Sequence, residues 1–342
     1  MAHQPDPQEL TQAAFLLRLS ARPVILAGAG VAQAGAEEEL ARIAETMDAP
    51  VITTWGGKGT ISDRSEHSAG ALFGRPEARA ALESADTVFA LGTSFETGRE
   101  EPELNLPAQM IQVDQDPNQI GRRYPLRLGI AADARSALAG ILKALEAPNP
   151  LKGAADRTSA ETQDRTGPRR AAAIRQTALE RAGREGPEQM RALAAIRRAL
   201  PDDTTILHRH AGSASWFNPF FEVAQAGTWV GSGLGEFPVS EAAGAAAGAP
   251  GALVSFCEED ELIPHLRELE GLEEPGNLTF VVFTDRSDPA KESALFEAAA
   301  ATALTVVVTS GTDELGTALS RAVRSASHSI IESDLPWGDG SD

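Results

Sequence analysis

The chain has 342 residues, of which 42% are hydrophobic and 5% aromatic, and its 30 basic and 49 acidic side chains give a net charge of −19. This length exceeds the roughly 100–200 residues of a typical domain, so two domains are expected. The composition excludes collagen-like and wholly disordered chains. The excess of acidic residues argues against nucleic acid or an anionic membrane surface as a partner.

The sequence also limits the compartment. Cys257 is the single cysteine, so the chain can form no intramolecular disulfide and has no cysteine pair for a structural zinc. The first residues lack the basic-then-apolar profile of a signal peptide, and no apolar run approaches the ~20 residues that a membrane helix needs. These features predict a cytoplasmic protein.

Residues 1–147 alternate between helical and strand-like patterns. Apolar residues at helical spacing predict helices over 10–17, 40–47 and 133–145. Short apolar runs predict strands at 23–27, 51–54, 87–91, 109–113 and 126–130. Short, nearly continuous apolar strands between helices indicate a parallel sheet covered on both faces. The pattern therefore predicts an α/β domain with a doubly wound, Rossmann-like sheet.

Residues 148–186 break this rhythm, because prolines and glycines recur there among arginines and acidic residues. We interpret the stretch as an interdomain linker that holds one helix over Ala171–Arg181. A basic binding arm is the alternative. The interleaved acids and the lack of aromatic residues in this stretch favour the linker.

Residues 187–335 return to the alternating pattern, beginning with a helix over 187–200. Strands are predicted at 204–207, 252–255, 278–283 and 304–308. Helices are predicted between them at 240–247, 290–300 and 312–326. The sequence thus predicts a second doubly wound α/β domain, followed by a frayed tail over 336–342.

The Gly28-Ala29-Gly30 turn lies between the first strand and a helix, where glycines let a phosphate approach the backbone at a helix N-terminus. Two features weaken this interpretation. Gln33 stands where the dinucleotide fingerprint has its third glycine, and the second strand ends without an acidic residue for a ribose. A tight turn without a ligand stays open as the alternative.

Asp114 and Asp116 stand at the carboxyl end of a predicted strand, the edge at which open parallel sheets bind ligands. Asp116 precedes Pro117 and would serve as a helix N-cap, so a ligand is not needed to explain it. Asp114 is therefore the better candidate for contact with a nucleotide hydroxyl.

Three side chains in the second half invite chemical interpretation. His208 and His210 could share a strand face as a metal or acid–base pair, but no third ligand is evident and an ordinary polar role is favoured. Cys257 is followed by three acidic residues that disfavour its thiolate, so a buried cysteine is favoured over a nucleophile.

The first half resembles the middle domain of the thiamine-diphosphate-dependent enzymes, the family that includes acetolactate synthase and benzoylformate decarboxylase. Four segments within residues 13–145 carry the resemblance, at 21–28, 49–59, 85–93 and 111–121. In some members this domain binds FAD or ADP. The resemblance implies that such a site here would be lined by Gly28, Gly30, Gly92, Asp114 and Asp116.

The second half resembles the family's pyrophosphate-binding domain. Trp216, a glycine-rich stretch and an alanine-rich stretch over 242–250 follow its pattern in order. The resemblance implies that the diphosphate would lie against Gly231, Gly233 and Gly235. It also implies that Glu259 and Asp285 occupy the positions of the two metal ligands.

The metal motif departs from the family's pattern. The family has Gly-Asp-Gly after a strand, whereas this sequence has Glu258-Glu259-Asp260. Losing the glycines puts Cβ atoms and carboxylates where the diphosphate would approach the backbone, and consecutive acids repel that anion. Oxygen ligands could still hold Mg²⁺.

Full-length family members begin with a pyrimidine-binding domain that supplies the activating glutamate, and this sequence begins at the middle domain. The resemblance therefore implies a subunit of a lyase or carboligase acting on 2-oxo acids. It would form oligomers and bind thiamine diphosphate with Mg²⁺ only together with a separate pyrimidine-domain chain. We assign no catalytic residue within the chain itself.

Two other hypotheses stay open. The chain could be a non-catalytic homologue that acts as a structural or regulatory subunit and binds FAD or ADP. It could also be an independent enzyme on the same topology, such as a sirtuin-type deacylase, but the zinc cysteines of such enzymes are absent.

Overall fold

The computed structural model describes residues 4–96, 103–147, 166–208, 212–231, 251–257, 259–264, 278–284, 305–325 and 328–335, with Leu266, Leu295, Glu297 and Trp337. The chain divides into two compact units, Met1–Arg181 and Ala182–Asp342. Each unit holds one six-stranded sheet, and the strand pairs described in both sheets are parallel. The predicted α/β class with two doubly wound sheets is confirmed.

The first unit begins with a helix whose N-cap, Asp6, accepts a hydrogen bond from the Gln8 N–H. The elements of this unit in chain order are α1 (Pro7–Leu19), β1 (Pro23–Ala27), α2 (Ala29–Gln33), α3 (Glu37–Met47), β2 (Val51–Thr53), β3 (Ser68–Gly70), α4 (Pro76–Glu83), β4 (Thr87–Leu91), β5 (Gln109–Asp114), β6 (Leu128–Ala131), α5 (Ala134–Glu146) and most of α6 (Gly167–Glu185), which continues past Arg181. The strands lie in the order β3-β2-β1-β4-β5-β6.

The core of this unit forms because the central strands are buried along their whole length and are almost entirely apolar. Every residue of β1 and β4 is buried. One apolar cluster joins the sheet to α1, α3 and α5 through residues such as Leu17, Leu40 and Leu138. Because the strand pairs are parallel, the carboxyl ends of the strands lie at one edge of the sheet.

Helix α6 is longer than the helix predicted within the linker, and it packs on the first unit through arginines. Arg170 donates to the Pro23 carbonyl at 3.0 Å, and Arg175 donates to the Asp63 carbonyl. Arg181 holds Glu77 with two hydrogen bonds of 2.8 and 3.1 Å. Burial alone would raise the pKa of Glu77, but the hydrogen bond and charge of Arg181 bring it below its ordinary value.

The second unit repeats the alternation of helix and strand. Its described elements are α7 (Pro187–Ala199), β7 (Thr205–His208), α8 (Ala214–Phe220), β8 (Trp229–Gly231), β9 (Leu253–Cys257), α9 (Glu259–Leu262), β10 (Leu278–Phe283), β11 (Thr305–Thr309), α10 (Gly311–Ala322) and β12 (Ser329–Ser333). The strand order is β11-β12-β10-β9-β7-β8. The helix predicted over 240–247 and all of the one over 290–300 except Leu295 and Glu297 lie outside the described residues.

Two features of this unit differ from the sequence-based expectation. Strand β12 was not predicted because three of its five residues are polar, yet all five are buried. Trp337 is also buried, with its ring 5.1 Å from Phe217 and 5.2 Å from Phe283. The expected frayed tail is therefore wrong at Trp337. None of the helices in the described part of the chain is long and apolar enough to span a bilayer.

Candidate functional site

The candidate site of the first unit lies where the strand order reverses. From β1 the chain runs outward to β2 and β3, whereas from β4 it runs to β5 and β6 on the other side. Ligands of open parallel sheets bind at the carboxyl ends of the two strands at such a switch point. Of the predicted residues, Gly28 lies between β1 and α2, Gly30 is the second residue of α2, and Gly92 directly follows β4.

These three glycines form a backbone seam between β1 and β4. The Gly28 N–H donates to the Leu91 carbonyl at 2.8 Å, and the Gly30 N–H donates to the Gly92 carbonyl at 3.0 Å. A Cβ on Gly28 would lie 2.3 Å from the Gly92 oxygen, and one on Gly30 would lie 2.7 Å from the Gly92 Cα. Both amides are thus engaged within the domain, and a phosphate at this turn would need other donors.

Asp114 and Asp116 follow on the neighbouring strand and hold the turn after β5. The Asp114 Oδ1 accepts the Asp116 N–H at 2.9 Å, and the Asp116 Oδ1 accepts the Asn118 N–H at 3.0 Å. Asp116 therefore caps a turn and not the helix expected from Pro117. Asp114 is 9% exposed, and its burial raises its pKa above the ordinary value while the Asp116 N–H opposes the shift.

Gln112 contacts both the loop after β4 and the turn after β5, and sequence reasoning missed this role. Its amide nitrogen donates to the Gln119 carbonyl at 3.1 Å and lies 3.5 Å from the Thr93 carbonyl. Its oxygen accepts the Gly121 N–H at 2.9 Å. A polar residue inside an otherwise apolar strand was the available signal, because a buried amide has to be hydrogen-bonded.

The loop after β2 closes the same edge and contains a buried lysine that sequence reasoning also left without a role. A Cβ on Gly57 would lie 2.2 Å from the Ala27 oxygen, so this loop packs directly on the end of β1. Lys58 is 2% exposed, and its Nζ lies 3.6 Å from the Asp63 carboxylate. Burial lowers the pKa of Lys58, and Asp63 works against that shift.

In the second unit, the residues predicted as cofactor contacts lie partly outside the described chain. Gly231 ends β8, but Gly233, Gly235 and Asp285 are outside the described residues. Glu259 is buried directly beyond β9 and begins α9. Among the residues that the structure describes, no group of three His, Cys, Asp or Glu side chains is placed to hold a metal, so the metal assignment stays a prediction.

A buried carboxylate stands near this edge and was not singled out from the sequence. Glu332 of β12 is fully buried, and its Oε1 accepts the Thr284 hydroxyl at 3.0 Å, just beyond β10. Cys257, the last residue of β9, is also fully buried. This burial agrees with the packing role favoured for the cysteine.

His208 is held in an aromatic cluster. Its ring stacks on Phe217 at a centroid distance of 4.5 Å and lies 5.9 Å from Trp229. Its Nε2 is 2.9 Å from the Ser213 hydroxyl, and the side chain is 2% exposed. His210 lies outside the described residues. The position of His208 within packed rings favours the ordinary structural role over an acid–base role.

Thiamine diphosphate with Mg²⁺ is the group that the resemblance implies for the second unit, and the residues present suit it only in part. The carboxylate of Glu259 is an oxygen ligand of the kind that Mg²⁺ prefers. However, this side chain is buried against the protein, and it is flanked by Glu258 and Asp260 instead of glycines. The residues at this strand end therefore do not fit the glycine cradle that a diphosphate needs.

Both units are thus α/β domains with parallel sheets of the kind found in cofactor-dependent enzymes. Residues 10–141 match the family model of the thiamine pyrophosphate enzyme central domain. The first unit therefore carries the central domain of the thiamine-diphosphate-dependent enzymes, as the sequence predicted.

Two relatives match part of the chain. The chain is 38% identical over 150 residues to sulfoacetaldehyde acetyltransferase of Rhodobacter capsulatus, covering 42% of this chain and 25% of that protein. It is 32% identical over 166 residues to the acetolactate synthase large subunit of Corynebacterium glutamicum, covering 47% of this chain and 25% of that protein. The matches thus span about a quarter of these relatives.

Solved structures extend the likeness to the whole chain at the level of fold. The benzoylformate decarboxylase structure from Polynucleobacter necessarius superposes with a TM-score of 0.72 and 17% identity, covering 100% of this chain and 66% of that one. A thiamin-diphosphate-dependent enzyme structure from Mycobacterium smegmatis covers 98% of this chain and gives a TM-score of 0.70. At this identity the superpositions establish the fold alone.

Proposed function

We propose that the chain is a subunit of a thiamine-diphosphate-dependent lyase or carboligase that acts on 2-oxo acids. In this proposal a separate chain supplies the pyrimidine-binding domain and its glutamate. The observation that carries the proposal is the match of residues 10–141 to the central domain of this enzyme family. The likeness of both units to a benzoylformate decarboxylase structure supports it.

The chemistry assigned to this chain is limited to positioning. Bound thiamine diphosphate would supply the carbanion chemistry of the family. The residues at the end of β9 do not fit its diphosphate, so we derive no catalytic step through the cofactor. The seam of Gly28, Gly30 and Gly92 joins the ends of β1 and β4 by backbone hydrogen bonds and close backbone packing.

A second candidate is a non-catalytic homologue that serves as a structural or regulatory subunit and binds FAD or ADP. The observation that favours it is the buried, glycine-free strand end at Glu259. The nucleotide would lie at the carboxyl edge of the first sheet near Asp114. The Gly28 and Gly30 N–H groups already donate hydrogen bonds to carbonyls of the domain. The phosphates of the nucleotide would therefore have to be bound by other groups.

Calorimetry with thiamine diphosphate and Mg²⁺ distinguishes the two candidates. The full chain is titrated alone and again with a co-expressed chain that carries a pyrimidine-binding domain. The enzyme proposal expects heat of binding from the pair and none from the single chain. A pair that assembles without taking up the cofactor would overturn it.

The nucleotide site is tested separately by thermal unfolding with ADP and by FAD absorbance of the purified chain. The second candidate expects a rise in melting temperature with ADP or a flavin spectrum. An Asp114→Asn variant should weaken either response, with Asp133→Asn as the control because Asp133 caps α5. Equal responses from wild type and Asp114→Asn would rule out the assignment of Asp114.

A further inference from the structure

The segment that follows β5 carries a pair of exposed arginines, Arg122 and Arg123. Residues 117–132 contain three arginines and no acidic residue, although the whole chain has a net charge of −19. A strongly acidic chain repels anions over most of its surface. The arginine pair is therefore a local positive patch at which an anion can approach the protein.

The charges of this pair are not neutralised by the protein. Among the residues that the structure describes, neither arginine forms an ion pair with an acidic side chain. Arg79 and Arg181 of the same unit, by contrast, each bind a glutamate. Arg122 donates a hydrogen bond to the Gln119 Oε1 at 3.3 Å, and this acceptor is neutral. Both guanidinium groups are thus available to a negatively charged ligand.

Two successive turns keep Arg122 close to the carboxyl end of β5. The Gln119 N–H donates to the Asp116 carbonyl at 3.0 Å, and the Arg122 N–H donates to the Gln119 carbonyl at 3.3 Å. The ends of each such turn lie within about 7 Å of one another, so the Cα of Arg122 lies within roughly 14 Å of the Cα of Asp116. Asp116 in turn donates its N–H to the Asp114 carboxylate at 2.9 Å.

Gln112 of β5 fixes these turns to the sheet. Its side-chain oxygen accepts the Gly121 N–H at 2.9 Å, and its side-chain nitrogen donates to the Gln119 carbonyl at 3.1 Å. Gly121 directly precedes the arginine pair. The backbone that carries the two guanidinium groups is therefore held in place before any ligand binds, which lowers the entropic cost of binding.

The chemistry of the pair matches a diphosphate. Guanidinium groups bind phosphate oxygens through paired, charge-assisted hydrogen bonds. The Gly28 and Gly30 N–H groups donate to carbonyls of the domain, so phosphates at this edge need other donors. In a nucleoside diphosphate the ribose hydroxyls and the phosphates belong to neighbouring groups. One molecule can thus reach both the Asp114 carboxylate and the arginine pair.

We infer that Arg122 and Arg123 bind the diphosphate group of a ligand whose hydroxyl contacts Asp114. The inference rests on the second candidate function, in which a nucleotide binds at the carboxyl edge of the first sheet. It assigns the phosphates of that nucleotide to the arginine pair and not to the glycine turn after β1.

Calorimetric titration of the full chain with pyrophosphate, ADP and adenosine tests the inference. We expect the wild type to bind pyrophosphate and ADP. The double variant Arg122→Ala, Arg123→Ala should bind both at least about tenfold more weakly, because two charge-assisted contacts are removed. Adenosine lacks the phosphates, so its affinity should be the same for the wild type and the variant. Thermal unfolding without ligand establishes that each variant is folded.

Arg127→Ala is the matched control, because Arg127 is an exposed arginine of the same segment. Its N–H donates to the Met110 carbonyl at 2.7 Å, and Met110 precedes Asp114 by four residues, or about 13 Å of strand. Arg127→Ala should therefore bind pyrophosphate and ADP as the wild type does. The variant Arg122→Lys, Arg123→Lys keeps the charge but loses the paired hydrogen bonds, so it should retain part of the affinity.

Equal pyrophosphate affinity of the wild type and the double alanine variant would overturn the inference. A wild type that binds neither pyrophosphate nor ADP would do so as well. If Asp114→Asn weakened ADP binding but the double alanine variant did not, the nucleotide site would stand and the inference would fail. Pyrophosphate binding that depends on the arginines, with no gain in affinity from the adenosine part of ADP, would support the arginine pair and remove the nucleotide.

Discussion

The carboxyl edges of the two sheets share a parallel topology but differ in the residues at their strand ends. In the first unit, glycine backbone packs on glycine backbone, as Gly30 does on Gly92. In the second unit, buried carboxylates stand near the edge, represented by Glu259 and Glu332. At the first edge backbone atoms approach one another closely, whereas the second edge has carboxyl groups buried near the strand ends. Strand-end residues and not the fold therefore decide which ligands can approach.

Removing the glycine seam is expected to have the largest effect. Gly30→Ala places a Cβ 2.7 Å from the Gly92 Cα, which forces two backbones apart. We expect a loss of about 2–4 kcal/mol in the free energy of unfolding of the first unit, measured by urea denaturation.

The control for this change is Gly183→Ala in α6, just beyond the end of the first unit, where a Cβ would meet no atom within 4 Å. Alanine in a helix is favoured over glycine, so this variant should be more stable by about 0.5–1 kcal/mol. If both variants unfolded at the same urea concentration, the close packing of Gly30 on Gly92 would not contribute to the free energy of unfolding.

A change at the second edge should have an intermediate effect. Glu332→Ala removes a fully buried carboxylate and leaves the Thr284 hydroxyl without its acceptor. We expect a loss of about 2–3 kcal/mol in the free energy of unfolding of the second unit. Glu332→Gln keeps the volume and an acceptor oxygen, so it should keep most of the stability. A glutamine variant as unstable as the alanine variant would show that the charge itself matters.

The smallest effect is expected from Asp114 and depends on pH. Its pKa is raised in the folded state, so the folded chain holds this proton more tightly than the unfolded chain. Stability contributed by Asp114 is therefore greatest below the ordinary Asp value of about 4 and falls as pH rises through the raised folded pKa.

Asp114→Asn lacks this titration while its amide oxygen can still accept the Asp116 N–H. The stability of Asp114→Asn relative to the wild type should therefore increase as pH rises from about 4 through the raised pKa of Asp114. Urea denaturation at several pH values measures this difference. Asp116→Asn removes a carboxylate from the same turn and serves as the control. A stability difference for Asp114→Asn that is constant with pH would contradict the prediction.

Most of the fold could be predicted from the sequence, because the central strands are short apolar runs. Strands β1, β4 and β10 were predicted at the residues where the structure has them. Strand β12 was missed, since burial of its serines and Glu332 depends on neighbouring strands that are distant in sequence. Burial of a polar residue is decided by tertiary packing, which local patterns do not encode.

The candidate site was predicted in position but not in detail. The glycine turn and the Asp114 strand end lie at one edge, as parallel strands require. The hydrogen bond between Gly30 and Gly92 could not be foreseen, because the two glycines are far apart in the chain. The roles of Gln112 and Lys58 were likewise hidden, because each depends on a loop that folds back over the side chain.

The arginines of α6 have a consequence for dissecting the protein. Arg170, Arg175 and Arg181 bond to the Pro23 carbonyl, the Asp63 carbonyl and Glu77. A fragment that ended after α5 would leave these three acceptors bare and would uncover the surface under Ala171 and Ala178, which are buried. An autonomously folding fragment of the first unit therefore has to extend at least to Arg181.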